Sequence, residues 1–278
     1  MILINRINKR LLIAKILLIA ATIFFLTNIS ADCTPERTVD NLPLDPEFHP
    51  QLGTYYYQVN WNRVNVGKAR ISIDLENDLY TIMVHAETNR KLDKIYKIRY
   101  KGESRISTEP LTPIKAKINE KVKSTKKETT IEFQKDGTIK SSEVKSKKGK
   151  PSKTTEREFQ TENFTLDPFS ATCLVRRLDW EVGMEEIFDV ITGEDQYLLE
   201  LKCIKQTTIE IAGTKRLAWE IVPELTKLDT EEQEKNDQKK DDMTIYVSAD
   251  KAKEMLKIKV ALKVGYFRII LEKFEPAL

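Results

Sequence analysis

The chain has 278 residues, 40% hydrophobic and 32% charged, with a formal net charge of +3. This composition excludes disorder throughout, and so small a charge leaves no footprint for nucleic acid. β-rich folds reach about 200–250 residues as one unit, so the length requires no division into domains.

At the N-terminus Arg6, Lys9, Arg10 and Lys15 precede the apolar run "ILLIAATIFFL" from Ile16 to Leu26, and "TNISADC" follows. A charged start, an apolar stretch and a small-residue site read as a secretory signal over residues 1–31, with cleavage after Ala31. The apolar run is shorter than the ~20 residues of a spanning helix, which favours a cleaved signal over a retained anchor. Acylation at Cys33 is disfavoured, because Asp32 stands where a lipoprotein signal needs a small residue. The expected location is the periplasm of a Gram-negative type of bacterium, with an N-terminal anchor or a lipoprotein at Cys33 as the alternatives.

Residues 32–52 carry "NLPLDPEFHPQLG", whose prolines disfavour helix and strand, and read as an extended lead-in arm. A single β-rich domain is expected over 53–276. It opens with "GTYYYQVNWNRVNVGKARISI", where Tyr55, Tyr57, Val59 and Trp61 alternate with Tyr56, Gln58 and Asn60. Period two predicts a strand with the first set turned inward. Asn62, Asn65 and Gly67 supply turn chemistry, and Ala69, Ile71, Ile73 and Leu75 resume the alternation as the second arm of a hairpin. "ENDLYTIMVHAET" and "KIRYKGESRIS" extend the meander, with a short irregular or helical piece around Leu92 to Tyr96.

From Ile114 to Phe159, Ile114, Ala116, Ile118, Ile131 and Phe133 alternate against lysines, which predicts long strands with a basic exterior. Asp136-Gly137 reads as a turn, and the charged stretch near 145–155 as an exposed hairpin tip or loop. "LDPFSATCLVRRLDW" differs in kind. Asp167 can cap, Pro168 suits the first helical position, and Phe169, Cys173, Leu174 and Leu178 form a stripe, so Pro168 to Leu178 is the predicted covering helix. Strands return in "EEIFDVI", "QYLLELKCI" and "RLAWEIV", where Leu217, Trp219 and Ile221 share one face. Residues 229–242 are too charged to bury and read as an exposed insertion, and "LKIKVALKV" with "YFRIILEKF" forms a last hairpin around Gly265.

The fold class is mainly β: a large curved antiparallel sheet, or an incomplete or closed barrel, of about ten to twelve strands with one short covering helix. Cys173 and Cys203 are the pair to test for a disulfide in an exported chain; two buried thiols are the other reading. No metal-type spacing occurs. His49 and His85 sit in no catalytic motif, pairs such as Asp93 with Glu103 or Asp179 with Glu181 suit a merely charge-rich chain, and glycine loops for phosphate are absent. Neither an enzyme nor a cofactor is expected.

The opening aromatic hairpin, the central "DPFSATCLVRRLDWEVGMEEIFDVITG", the strand "IAGTKRLAWEIVPEL" and the closing "MTIYVSADKAKEMLKIKVALKVGYFRIILEKF" resemble the bacterial envelope proteins collected as domain of unknown function 3108. The resemblance spans about Gly53 to Phe274 and implies an exported, β-rich protein without catalytic residues to carry over. The lysine-rich segment and the acidic insertion depart from the typical pattern.

Two functional classes follow. A barrel-like sheet either fills itself or holds a ligand, which makes a binding module for an apolar or lipid-like molecule the first; Tyr55, Tyr57, Trp61, Phe169 and Trp219 are its candidate lining. The second is a structural or adaptor protein that meets an envelope protein or polyanion through sheet edges and a basic face.

Overall fold

A computed structural model of the chain describes residues 42–161, 164–228, 243–262 and 265–277. The expected signal, residue Cys33 and the 229–242 insertion lie outside the described residues.

One sheet of fifteen strands makes up the fold. The chain starts in its middle with β1 (Gly53–Trp61) and steps outward by antiparallel pairing through β2 (Val64–Glu76), β3 (Leu79–Thr88), β4 (Ile98–Ser107), β5 (Pro113–Val122), β6 (Thr125–Phe133) and β7 (Thr138–Lys147) to β8 (Lys150–Gln160). It then crosses to the far end of the sheet with β9 (Thr165–Leu166) and a helix. β10 (Glu185–Ile191) pairs parallel with β9, and β11 (Gln196–Ile211), β12 (Thr214–Lys227), β13 (Met243–Ser248), β14 (Met255–Ala261) and β15 (Tyr266–Pro276) step back to the middle. There β15 pairs with β1, so the first and last strands form the centre of the sheet. The ends, β8 and β9, do not pair with each other, and the sheet stays open.

The count exceeds the ten to twelve strands expected from sequence, because β8 and β9 leave almost no periodic trace. β8 (KPSKTTEREFQ) has little apolar to alternate, and β9 has two residues. The stretch 145–155 takes the first of its two readings, an exposed hairpin tip: Lys145 pairs with Lys153 in the β7–β8 hairpin, which reverses at Gly149. Its exposure is that of an edge strand open to water on both faces.

Two helices occur among the described residues. α1 (Arg90–Asp93) is a single turn capped by Asn89, and Asp93 there pairs with Arg99 at 2.5 Å, which holds its carboxyl down at about 2. α2 (Pro168–Arg177) is the covering helix, and it lies across the concave face that the curved sheet presents. Bulges opposite Tyr56/Tyr57 and Val59/Asn60 bend the central strands, as an extra residue on one side of a ladder must.

Cross-strand rows show how far the helix shelters the sheet. Residues paired directly across strands share a face. On the inner face one row runs Ser104, Ala116, Ile131, Ser141 from β4 to β7; the next runs Gly102, Ile118, Thr129, Glu143; the next Tyr100, Glu120, Lys127, Lys145. The second and third rows become more polar with distance from β4, the strand on which α2 rests, while the first stays apolar at Ala116 and Ile131. Thr129, Lys127 and Glu143 thus bring polar side chains to the inner face of β6 and β7.

Candidate functional site

α2 is held at both ends by chemistry written into its sequence. At the N-terminus Asp167 accepts hydrogen bonds from the Phe169 and Ser170 amides at 2.8 and 3.3 Å, while the Ser170 hydroxyl lies 2.9 Å from the Asp167 amide that donates to it. This is a capping box with Pro168 behind it. The same carboxylate accepts from Ser104 Oγ on β4 at 2.8 Å, tying the cap to the sheet. Asp167 is fully buried; burial raises its pKa, and these hydrogen bonds pull the other way. Two residues on, the Phe169 ring lies against Gly102, where a Cβ would stand 2.1 Å from its Cζ. Only a residue without a side chain fits beneath that ring.

At the C-terminus Arg176 reaches past Tyr55. Its Nη2 donates to Tyr55 Oη at 3.0 Å and to the Ala252 carbonyl at 3.1 Å, and its Nε to the Lys253 carbonyl at 2.8 Å. Lys253, in the β13–β14 connection, returns the contact by donating to the Leu178 carbonyl at 3.1 Å and pairing with Asp45 at 2.7 Å. A lysine at a helix C-terminus satisfies open carbonyls and complements the dipole. Ser248, Asp250, Glu254 and Arg216 brace that connection: Arg216 lies 2.7 Å from Asp250 and 2.8 Å from Glu254. Arg176 was missed by sequence reasoning, although it stands seven residues after Phe169 and therefore on the same helical stripe.

The expected ligand-lining residues do not surround one cavity. Tyr55, Tyr57 and Phe169 are buried members of one continuous core, and the Tyr55 ring sits 4.5 Å from that of Phe274. Burial lifts the phenol of Tyr57 far above its usual pKa. Trp219, half-buried opposite Val247, packs against the same core. Trp61 is a correction to the expectation: it keeps the inward phase, facing Phe267 in register and stacking on its ring at 6.2 Å, but it ends β1 at the rim and stays 41% exposed. The alternation was right and the depth was not, since period two says nothing about where a strand leaves the covered zone.

The two core cysteines take the second of the readings left open by the sequence. Cys173 and Cys203 are free, buried thiols, one on α2 and one on β11 in register with Ile221. Burial pushes them up to about 12 and about 11. Each behaves as a small hydrophobe within the core. Beside Cys173 is a hollow of about 30 Å³, bordered also by Phe48, Tyr80, Leu111 and Arg177. That is room for a water or two.

On the convex face one cross-strand row reads Lys273, Tyr56, Arg70, His85, Lys101 over β15, β1, β2, β3 and β4. Lys273 stacks on Tyr56 at 4.6 Å and pairs with Glu275. Arg70 and Lys101 make no ion pair among the described residues, and His85 is caught between them. Its pKa is lowered by burial first and by those two cations next. The neighbouring row is balanced instead, with Glu87 pairing with Lys68 at 3.2 Å and with Arg99 at 3.3 Å.

No three His, Cys, Asp or Glu side chains gather to hold a metal ion among the described residues. The carboxylate pairs noted in sequence are separate as well: Asp93 goes to Arg99, Glu103 to Arg105 at 3.5 Å, and Asp179 faces Lys253 at 3.9 Å.

The fold resembles a solved structure, the crystal structure of a beta-barrel-like protein of domain of unknown function DUF1849 from Brucella abortus. The TM-score is 0.56 at 10% identity, covering 83% of this chain and all of that one, a likeness of fold alone. None of the curated proteins matches the sequence. Residues 56–272 match the model of the family described as protein of unknown function DUF3108, and the chain belongs to that family.

Proposed function

We propose that this is an exported, non-catalytic binding protein of the bacterial envelope that engages a polyanionic partner through the convex face of its sheet. The observation that carries this reading is the Arg70–His85–Lys101 row. Arg70 and Lys101 flank a histidine whose lowered pKa keeps it neutral near pH 7, and among the described residues no acidic side chain pairs with either cation as Glu87 pairs with Lys68 and Arg99 in the next row. Two unpaired cations on one exposed face favour an anion laid across them. The adaptor class gains from this, whereas Tyr55, Tyr57, Phe169 and Trp219, expected to line an apolar cavity, pack in or against one continuous core, and Trp61 stacks on Phe267 at the rim.

The test is binding to vesicles containing phosphatidylglycerol and to soluble polyglutamate, with neutral phosphatidylcholine vesicles as control. The expected result is salt-sensitive binding to an anionic probe that Arg70→Gln/Lys101→Gln weakens at least about tenfold. In the same variant the pKa of His85 rises, as NMR titration would show, because two of the causes that lower it are gone. No binding to either probe, or binding unchanged by the double substitution, overturns the reading.

A second reading, a carrier for an apolar or lipid-like molecule, draws on the open seam between β8 and β9, which leaves the sheet free to part. Lipid copurified from the native envelope and lost in Trp219→Ala supports it; protein that is consistently empty removes it.

A further inference from the structure

The inner face of β4 to β7 holds a group of polar side chains that neither the core nor the convex face accounts for. Tyr100 on β4 and Glu120 on β5 stand in direct register, Glu120 faces Lys127 on β6, and Thr129 of β6 faces Glu143 on β7. Lys127 Nζ pairs with Glu143 at 2.6 Å, and Thr129 Oγ1 lies 3.5 Å from the same carboxylate. The β10–β11 turn forms the roof. There Gly193 adopts φ +110°, and a Cβ would meet Thr129 Cγ2 at 2.8 Å and approach Glu143 Oε2 at 3.6 Å, so the turn bears directly on these two side chains.

Two members have nothing to bond. Tyr100 is 2% exposed, and its buried hydroxyl has no hydrogen-bond partner among the described residues. Glu120, half-buried, makes no hydrogen bond among the described residues. A buried hydroxyl left unpaired costs free energy that folded proteins rarely leave uncompensated. Here it stands beside a carboxyl group in the same condition, at the wet edge of the interior.

We propose that the cleft formed by Tyr100, Glu120, Lys127 and Glu143 beneath the Gly193 turn binds the ammonium group of a small organic amine. Glu120, Glu143 and Glu194 of the roof stand against Lys127 and Lys145, which leaves the cleft one negative charge in excess for a single cation to balance. An ammonium brings three N–H donors, and Glu120, Glu143 and the Tyr100 hydroxyl oxygen are three acceptors. An anion would meet Glu120 and Glu143 head on. A divalent metal finds only two carboxylates, fewer than such an ion takes from protein side chains in a dedicated site. Lys127 already shows the chemistry in miniature, its own ammonium held by Glu143.

The site carries its own pH dependence. Burial and the nearby Glu143 carboxylate raise Glu120 to about 7, while Lys127 and Lys145 pull it down. Glu194 in the roof acts on Lys127, and Asp167 joins Glu120 in raising the Tyr100 phenol. An ammonium ion needs Glu120 as carboxylate, so binding weakens about tenfold per pH unit below about 7.

The experiment titrates the full mature chain with n-hexylammonium chloride, hexan-1-ol and sodium hexanoate, followed by calorimetry and by NMR of the Gly193 and Thr129 amides. Hexylammonium is expected to bind and shift both amides, and the alcohol and the carboxylate are not. Glu120→Gln should weaken the amine at least about tenfold and abolish the pH dependence, and Tyr100→Phe should weaken it a few-fold, with the fold checked by circular dichroism. Equal binding of amine and alcohol, undiminished binding in Glu120→Gln, or no binding of the amine overturns the proposal. Arg70→Gln/Lys101→Gln leaves this affinity unchanged, which separates the cleft from the convex face.

Discussion

The two wings that meet at β1 and β15 differ in how their inner faces are filled. On the β10–β14 side Tyr197, Leu199, Leu201, Ile221, Ile245 and Val247 make a dry wall. On the β4–β7 side the wall is dry at Ile106, Ala116, Ile118, Ile131 and Ile139, but turns polar at Glu120, Lys127 and Glu143. The anchors of the helix differ in the same sense. Phe169 meets β4 by shape, ring on glycine, whereas Arg176 meets the β13–β14 connection by hydrogen bonds to carbonyls. The lesson is that a sheet needs apolar residues only where something covers it; one helix laid over fifteen strands leaves one wing partly wet.

The largest expected effect breaks the contact by shape. Gly102→Ala puts a methyl group where the Phe169 ring lies and should cost about 3 kcal/mol or more in urea unfolding. Combined with Phe169→Ala, which alone costs about 3–5 kcal/mol, the pair should lose clearly less than the sum, because the clash vanishes with the ring. Strict additivity would mean that ring and glycine do not meet.

Next comes the polar anchor. Arg176→Met strands the Tyr55 hydroxyl and the Ala252 and Lys253 carbonyls, and should cost about 2–4 kcal/mol. Hydrogen exchange should show protection lost first around Ser248–Glu254. If the loss spreads evenly over the sheet instead, the helix is not fastened at that connection.

A smaller effect of opposite sign belongs to the polar wing. Glu120 keeps its proton up to about 7 in the fold, against 4.5 for the free side chain. Below the lower value it is protonated whether folded or unfolded and its charge costs nothing. As pH rises between the two, the unfolded chain ionises first, so stability falls, and above about 7 the loss is complete. Glu120→Gln should therefore be neutral near pH 4.5 and stabilising by roughly 1–3 kcal/mol near pH 8. No change of effect between the two pH values would place Glu120 in water, and the reverse order would place it in a stabilising ion pair.

The smallest effect sharpens the account of the dry core. With both thiols free and raised by burial, reducing agent should leave the melting temperature unchanged, and iodoacetamide should label Cys173 and Cys203 only after denaturation. A peptide joining the two residues under non-reducing conditions would sink this account.

Much of the fold was legible in the amino-acid sequence. The Asn77-Asp78 and Asp136-Gly137 turns stand where their residues predict, at the left-handed dihedrals (φ +49° and +60° for the first pair, +83° for Gly137) that Asn, Asp and Gly tolerate. The helix of Pro168 begins where its capping residues say. β8 escaped because Phe159 is nearly alone as an apolar member of its alternation, whereas Ile131 and Phe133 revealed β6. Arg176 was hidden by its neighbour: in "VRRL" only the helical phase tells which arginine turns inward, and charge alone argues that neither does. The cleft of Tyr100, Glu120, Lys127 and Glu143 joins residues from four strands through register, and no local pattern marks it.

What the sequence by itself determined, then, is local: which segments extend, where they turn, where one helix starts, and which face of each strand is the drier. Those follow from backbone propensities and from period two, which act within a few residues. Only the tertiary structure decided depth, partner and enclosure: that Trp61 stops at a rim, that two cysteines stay apart, that a glycine waits under a phenylalanine sixty-seven residues away. Burial and charge pairing are properties of what lies across the sheet, and the curvature that brings those residues together is summed over all fifteen strands.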